Sequence, residues 1–90
     1  MPLSTRLYNM ERIDKRVSVI VRFNGKGGVY PVYINLSGNY VKLKKPDAVW
    51  KERMGRNFIT HFSTTDGINR YILALNHETL EWTLETLSDE

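Results

Sequence analysis

The chain has 90 residues, no cysteine, 41% apolar residues and a formal charge of +3. Such a length gives one domain with a thin core. The missing cysteines exclude a disulfide framework, a thiolate metal site and a cysteine nucleophile. No apolar run nears the roughly 18–20 residues of a bilayer span, and the opening MPLSTRLYNMERIDKR lacks the apolar core of a secretory signal. A cytoplasmic location away from membranes is the expectation.

The charge is unevenly spread. Residues 42–56 carry Lys42, Lys44, Lys45, Lys51, Arg53 and Arg56 against Asp47 and Glu52, a net of +4. Residues 57–90 carry Arg70 against six acids, a net of −5. Strand pairing that joins the two segments would cancel the field, whereas separate faces would invite polyanions or self-association.

Residues 1–15 show no clean period. They read either as a short helix capped by Ser4 or Thr5, with Leu7, Met10 and Ile13 on one side, or as an arm that orders on a partner. From Arg16 the period becomes two. RVSVIVRF sets Val17, Val19, Val21 and Phe23 against Ser18, Ile20 and Arg22, a strand pattern rich in β-branched residues. VYPVYINL predicts a second strand, in which Pro31 calls for an open side, a bulge or a strand start.

Between these strands lies NGKGG. A phosphate loop needs a helix to follow it, but here VYPVYIN follows, and no Ser or Thr succeeds Lys26. Asn24-Gly25 is instead a strong hairpin dipeptide.

SGN turns the chain into a short third strand, YVKLKK, with Val41 and Leu43 inward. PDAVWKERMG breaks the pattern and reads as a helical turn or as a loop anchored by Val49 and Trp50. RNFITHFST resumes with Phe58, Thr60 and Phe62 on one face, and TDG turns into INRYILAL. After NHET, the run LEWTLETL alternates Leu80, Trp82 and Leu84 with Glu81, Thr83 and Glu85. The expected fold is all-β: an antiparallel meander of about six strands over residues 16–87, curled into a small barrel or a strongly bent sheet, with residues 88–90 as a tail.

Nothing in this pattern dictates a reaction. His61 and His77 lack the co-ligands of a zinc site and read as surface residues. Glu81 and Glu85 sit on the polar face of a strand, where a solvated role is expected. No serine has a nucleophile-elbow context. No enzymatic activity, metal or cofactor is expected.

The richest surface chemistry lies in Tyr40, Lys42, Lys44, Lys45, Trp50, Lys51, Arg53 and Arg56, with Arg22 and Tyr33 able to extend it from neighbouring strands. Small β-barrels hold single strands of nucleic acid with this mixture of aromatic platforms and cations. The competing explanation makes Lys42 and Lys44 the outward half of an edge strand and Trp50 a core plug.

VSVIVRFNGKGGVYPVYINLSGNYVKLKK, VWKERMG and ITHFSTTDGINRYILALNHETLEWTLE together resemble a family of small uncharacterised bacterial β-domains, over residues 17–86. Gly38, Tyr40, Trp50, Tyr71, Leu73 and Trp82 carry the likeness. Some members of that family lie beside, or are fused to, proteins of error-prone DNA repair. The resemblance implies a repair-associated role and brings no catalytic residues. The leading expectation is therefore a non-enzymatic binding module for single-stranded nucleic acid or for a nucleic-acid-handling protein. The alternative is a protein-interaction domain, homodimeric through a strand edge.

Overall fold

The structure, a computed structural model, describes residues 11–89. Among the described residues there are eight strands and no helix. They are β1 (Glu11–Val17), β2 (Val19–Phe23), β3 (Val29–Leu36), β4 (Asn39–Lys42), β5 (Ala48–Met54), β6 (Asn57–Thr65), β7 (Asn69–Asn76) and β8 (Trp82–Asp89). Hydrogen bonding sorts them into two antiparallel sheets, one ordered β1-β8-β7-β6-β5 and the other β2-β3-β4. No ladder joins the two sheets into a closed barrel among the described residues.

Two crossings carry the chain between sheets. At Ser18 the extended run RVSVIVRF breaks, so one expected strand becomes β1 and β2. The Ser18 carbonyl accepts from the Asn35 amide at 2.9 Å, which holds the corner. The second crossing spans residues 43–47. The Leu43 amide still donates to Val32 in the small sheet (2.8 Å), but the Lys44 and Asp47 amides donate to Thr65 and Ser63 in the large one. Thr64, fully buried, pins this corner by donating its hydroxyl to the Lys44 carbonyl at 2.6 Å.

Two expectations need correction here. The segment read as a helical turn or loop is strand β5, paired residue for residue with β6 from Ala48–Ser63 to Met54–Asn57. Its seven residues are all exposed, so no apolar alternation marks it. Residues 11–15, assigned to a leading arm or helix, belong to strand β1. The rest of that expectation lies outside the described residues.

The core forms where the small sheet lies on β7 and β8. Ile34 and Leu43 meet Tyr71, Leu73 and Leu84, with Val17, Leu36, Val41 and Trp82 packed around them. Each wholly buried side chain of this kind contributes about 1.5–3 kcal/mol. Phe62 extends the core toward β6, its ring 5.4 Å from that of Trp82.

Tyr71 is the one large polar group in this core, and its hydroxyl donates to Asp66 at 2.6 Å. The same carboxylate accepts from the Ile68 and Asn69 amides and so builds the β6–β7 turn. Burial pushes the Tyr71 phenol up to about 12, and the neighbouring Asp66 adds to the shift. Burial pushes the Asp66 carboxyl upward too. The hydrogen bonds from Asn69, Tyr71 and Ile68 outweigh it and hold the group below its ordinary 3.8.

Besides the irregularity of β1 between Arg12 and Lys15, two bulges adjust the faces. One lies between β2 and β3, where the register slips between Ile20 and Val21 beside Pro31. A proline that cannot donate to the ladder is accommodated there, as its ring chemistry requires. The other leaves Glu85 unpaired in the ladder between Leu84 and Thr86, and aims it across the sheet.

Candidate functional site

The outer face of the small sheet follows from its register. Ile34 pairs with Val41 and Val19 on the core side. The intervening pairs, Tyr33 with Ile20 and Lys42, and Asn35 with Tyr40, therefore point away from the core. Past the bulge, Arg22 pairs with Tyr30 on the same outer side. Three tyrosines thus share one face with Arg22 and Lys42. Tyr33 and Tyr40 are diagonal neighbours, with roots about 7–8 Å apart. Tyr40 is half exposed and Tyr30 and Tyr33 are partly so.

This sheet also has a distinctive charge. Residues 18–46 hold Arg22, Lys26, Lys42, Lys44 and Lys45 and no Asp or Glu, a net of +5. The acidic strand β8 pairs only with β1 and β7, both in the other sheet. It does not neutralise the small sheet through strand pairing.

The basic and aromatic residues singled out from sequence do not form one surface. Tyr40 and Lys42 lie on β4, and Lys44 and Lys45 occupy the crossing that follows. Trp50, Lys51 and Arg53 belong to β5 in the other sheet, and Arg56 to the β5–β6 turn. Within β5 the residues diverge again. Lys51 pairs with Thr60, and Arg53 stacks its guanidinium over Phe58 at 5.1 Å. Trp50 alternates to the opposite face and stacks on His61, with centroids 5.2 Å apart and planes 12° from parallel. It is 41% exposed and does not plug the core.

His61 is the residue that sequence reasoning misplaced. It is only 6% exposed and lies mid-sheet. Its Nδ1 is 2.8 Å from Glu85 Oε1, and its Nε2 meets Glu52 Oε1. Each ring nitrogen thus lies within hydrogen-bond reach of a carboxylate oxygen. With both nitrogens engaged, His61 has no free position to act as a base or to bind a metal. The cluster instead ties β5, β6 and β8 together through side chains.

A shallow cavity of about 150 Å³ opens beside it, bounded by Met54, Ile59, Ala74, Asn76, Glu81, Thr83 and Glu85. Glu81 is already engaged by Arg16 at 3.3 Å. Among the described residues no group of three or more His, Asp or Glu is placed to hold a metal ion. Nor is any described helix long and apolar enough to cross a membrane.

The glycine-rich turn is closed to anions by its own side chain. Asn24 Oδ1 accepts from the Lys26 amide at 2.8 Å and from the Gly28 amide at 2.9 Å. Two amides that a phosphate cradle would present are therefore occupied. A Cβ at Gly28 would lie 2.5 Å from Asn24 Nδ2, so a larger residue there would have to displace the Asn24 amide that closes the turn.

One sequence signal could have found the small-sheet face. The acid-free stretch from Ser18 to Pro46 is visible in the sequence, with tyrosines at positions 30, 33 and 40. The pairing of His61 with Glu52 and Glu85 carries no comparable signal, since the partners lie nine and 24 residues away. No family model, no curated protein and no solved structure matches the chain.

Proposed function

We propose that the chain is a non-enzymatic binding module that lays single-stranded nucleic acid across the outer face of β2-β3-β4. Tyr30, Tyr33 and Tyr40 act as stacking platforms, and Arg22, Lys42 and Lys45 meet the phosphates, whereas the Lys44 ammonium lies beside Gly67 in the β6–β7 turn. The observation that carries this reading is a three-tyrosine face, with Arg22 and Lys42 on it, built from a segment (residues 18–46) that carries a net charge of +5 and no acid. Each aromatic ring accepts any base, so the module binds with little sequence preference. A place in a nucleic-acid-handling system follows from such chemistry.

Self-association through a strand edge is the weaker reading. The β1 edge is irregular between Arg12 and Lys15, with Asp14 at φ 48. Two copies of β5 paired antiparallel about Lys51 or Glu52 would set like charge against like charge.

The test is anisotropy of a labelled single strand of about fifteen nucleotides, titrated from about 20 to about 300 mM salt. Engagement of three or four phosphates makes log affinity fall by about 2–3 for each tenfold rise in salt. Absence of binding at the lowest salt, or affinity indifferent to salt, removes the proposal.

A further inference from the structure

The two sheets do not cover one another completely. Beyond the Ile34–Leu73 contact, the large sheet presents Leu75 and Trp82, and the small sheet presents Val21 and Val29. Between them runs an open apolar trough of about 340 Å³. Its rims are Phe23, 72% exposed, and Leu80, 71% exposed. Leu80 is also held at φ 63, a left-handed conformation that is costly for leucine.

The trough continues at His77, whose Nε2 lies 2.7 Å from the Thr60 hydroxyl, to a second hollow bounded by Phe58 and Lys51. The whole is an oily channel with a charged end. Lys51 lines that end, and Arg53 lies beside it over Phe58. Lys26 stands in the hairpin turn at the other end. Glu52 alternates to the opposite face, where it meets His61, and Glu78 sits beside His77 in the exposed β7–β8 turn.

We infer that this trough is a docking groove for a partner protein's segment bearing bulky apolar and acidic side chains. Contiguous exposed apolar surface of this kind marks an interaction site. The flanking cations set the sign of the partner's charge. The shape favours a peptide over a small amphiphile. The channel is open along its length, and both rim residues are largely exposed, which suits an elongated ligand laid along it. A second copy of this chain is disfavoured, because it would bring cationic ends and a charge of +3 against the same. The groove is distinct from the tyrosine face, which lies on the other side of the small sheet.

A displayed library of random peptides of about twelve residues, panned on the intact chain, tests this. Enriched sequences are expected to combine Phe, Trp or Leu with Asp or Glu. Binding of one such synthetic peptide should weaken at least about tenfold in Phe23→Ser and in Lys51→Glu. An acid-to-lysine change in the peptide should recover binding to Lys51→Glu. Arg22→Glu, on the tyrosine face, should leave peptide affinity unchanged while weakening oligonucleotide binding. Both groove positions are exposed, and Leu80→Gly supplies a further rim variant that relieves strain. The inference is overturned by a library without enrichment, or by enriched peptides that are basic or free of acids. It is equally overturned if affinity falls in Arg22→Glu and not in the groove variants. Self-association abolished by Phe23→Ser would assign the groove to a second copy instead.

Discussion

The buried cluster around His61 makes the most quantitative claim about this molecule. Replacing His61 with alanine removes three interactions at once, and their surroundings decide what each is worth. Glu85 has a side chain only 18% exposed, so losing the Nδ1 partner leaves a largely dehydrated carboxylate without its donor. A hydrogen bond to a charged group of this kind contributes about 1.5–3 kcal/mol. Glu52 is 47% exposed and rehydrates when released, so its arm contributes about 0–1 kcal/mol. The Trp50 stack adds about 0.5–1.5 kcal/mol. Taken together, with incomplete additivity among touching groups, His61→Ala should cost about 3 kcal/mol.

For a domain of this size that is a large part of a total near 5–10 kcal/mol, and it should lower Tm by about 12–24 °C. Urea unfolding followed by tryptophan fluorescence and by circular dichroism measures it. Trp50 reports the cluster and Trp82 the core. The rank order is as informative as the size. Glu85→Gln should cost clearly more than Glu52→Gln, and His61→Ala combined with Glu85→Gln should cost less than their separate effects summed. A loss below about 1 kcal/mol for His61→Ala, or equal losses at the two glutamates, would refute the reasoning, because burial would then not govern the cluster.

Further outcomes are expected at Tyr71, at Leu80 and in the basic segment. Tyr71→Phe deletes the donor to Asp66 and should cost about 1–2 kcal/mol. The Asp66 carboxyl is held low in the fold, so its contribution is complete above the ordinary 3.8 and is lost as pH falls through the folded value. Tyr71→Phe should therefore move the acid-unfolding midpoint to higher pH. In the unaltered chain, Tyr71 favours the fold fully below 10.0 and loses that contribution as pH rises toward about 12. Ultraviolet titration should then show Tyr71 ionising late, a phase that Tyr71→Phe removes. Leu80→Gly relieves the strained φ of 63 at an exposed position and should stabilise the chain by up to about 1 kcal/mol in thermal unfolding. Charge reversals separate the two halves of the basic segment: Lys42→Glu should flatten the salt dependence of oligonucleotide binding by about 0.7 or more, and Arg56→Glu should leave it unchanged.

Period-two alternation makes β2, β3, β6, β7 and much of β8 readable, because each sets one apolar face against the other sheet or the core. The same signal fails where a strand has no buried face. In β5, Val49, Lys51 and Arg53 lie on one side and Trp50, Glu52 and Met54 on the other, and every one is exposed. Only the ladder to β6 defines it, and ladder hydrogen bonds belong to the backbone, which leaves no mark in side-chain pattern. The end of β8 shows the converse error. Leu80 continues the alternation of Trp82 and Leu84, yet it precedes the strand in a turn and is turned outward at positive φ. Periodicity reports which side a residue would take in a continuing strand, and it cannot report that the strand has not begun.

The candidate site was legible in composition but not in arrangement, and the cause lies in the crossing at residues 43–47. Tyr40 through Arg56 are contiguous in sequence, so their charges sum to an apparent patch. Once Lys44 and Asp47 turn their amides to Thr65 and Ser63, the segment is cut in two and its halves join different sheets. Lys42 keeps company with Tyr33, whereas Lys51 faces Thr60 and Trp50 faces His61. The same cut removes the supposed neutralisation by β8, because the acidic strand pairs within the sheet that the tyrosine face does not belong to. A sheet switch inside a charged segment thus turns one weak patch into two surfaces of different chemistry. One is aromatic and cationic on an outer sheet face, and the other is apolar and cationic in a trough. A chain that bound a single ligand through the whole segment would need both sheets to face it together, and the alternation of β4 and β5 denies that.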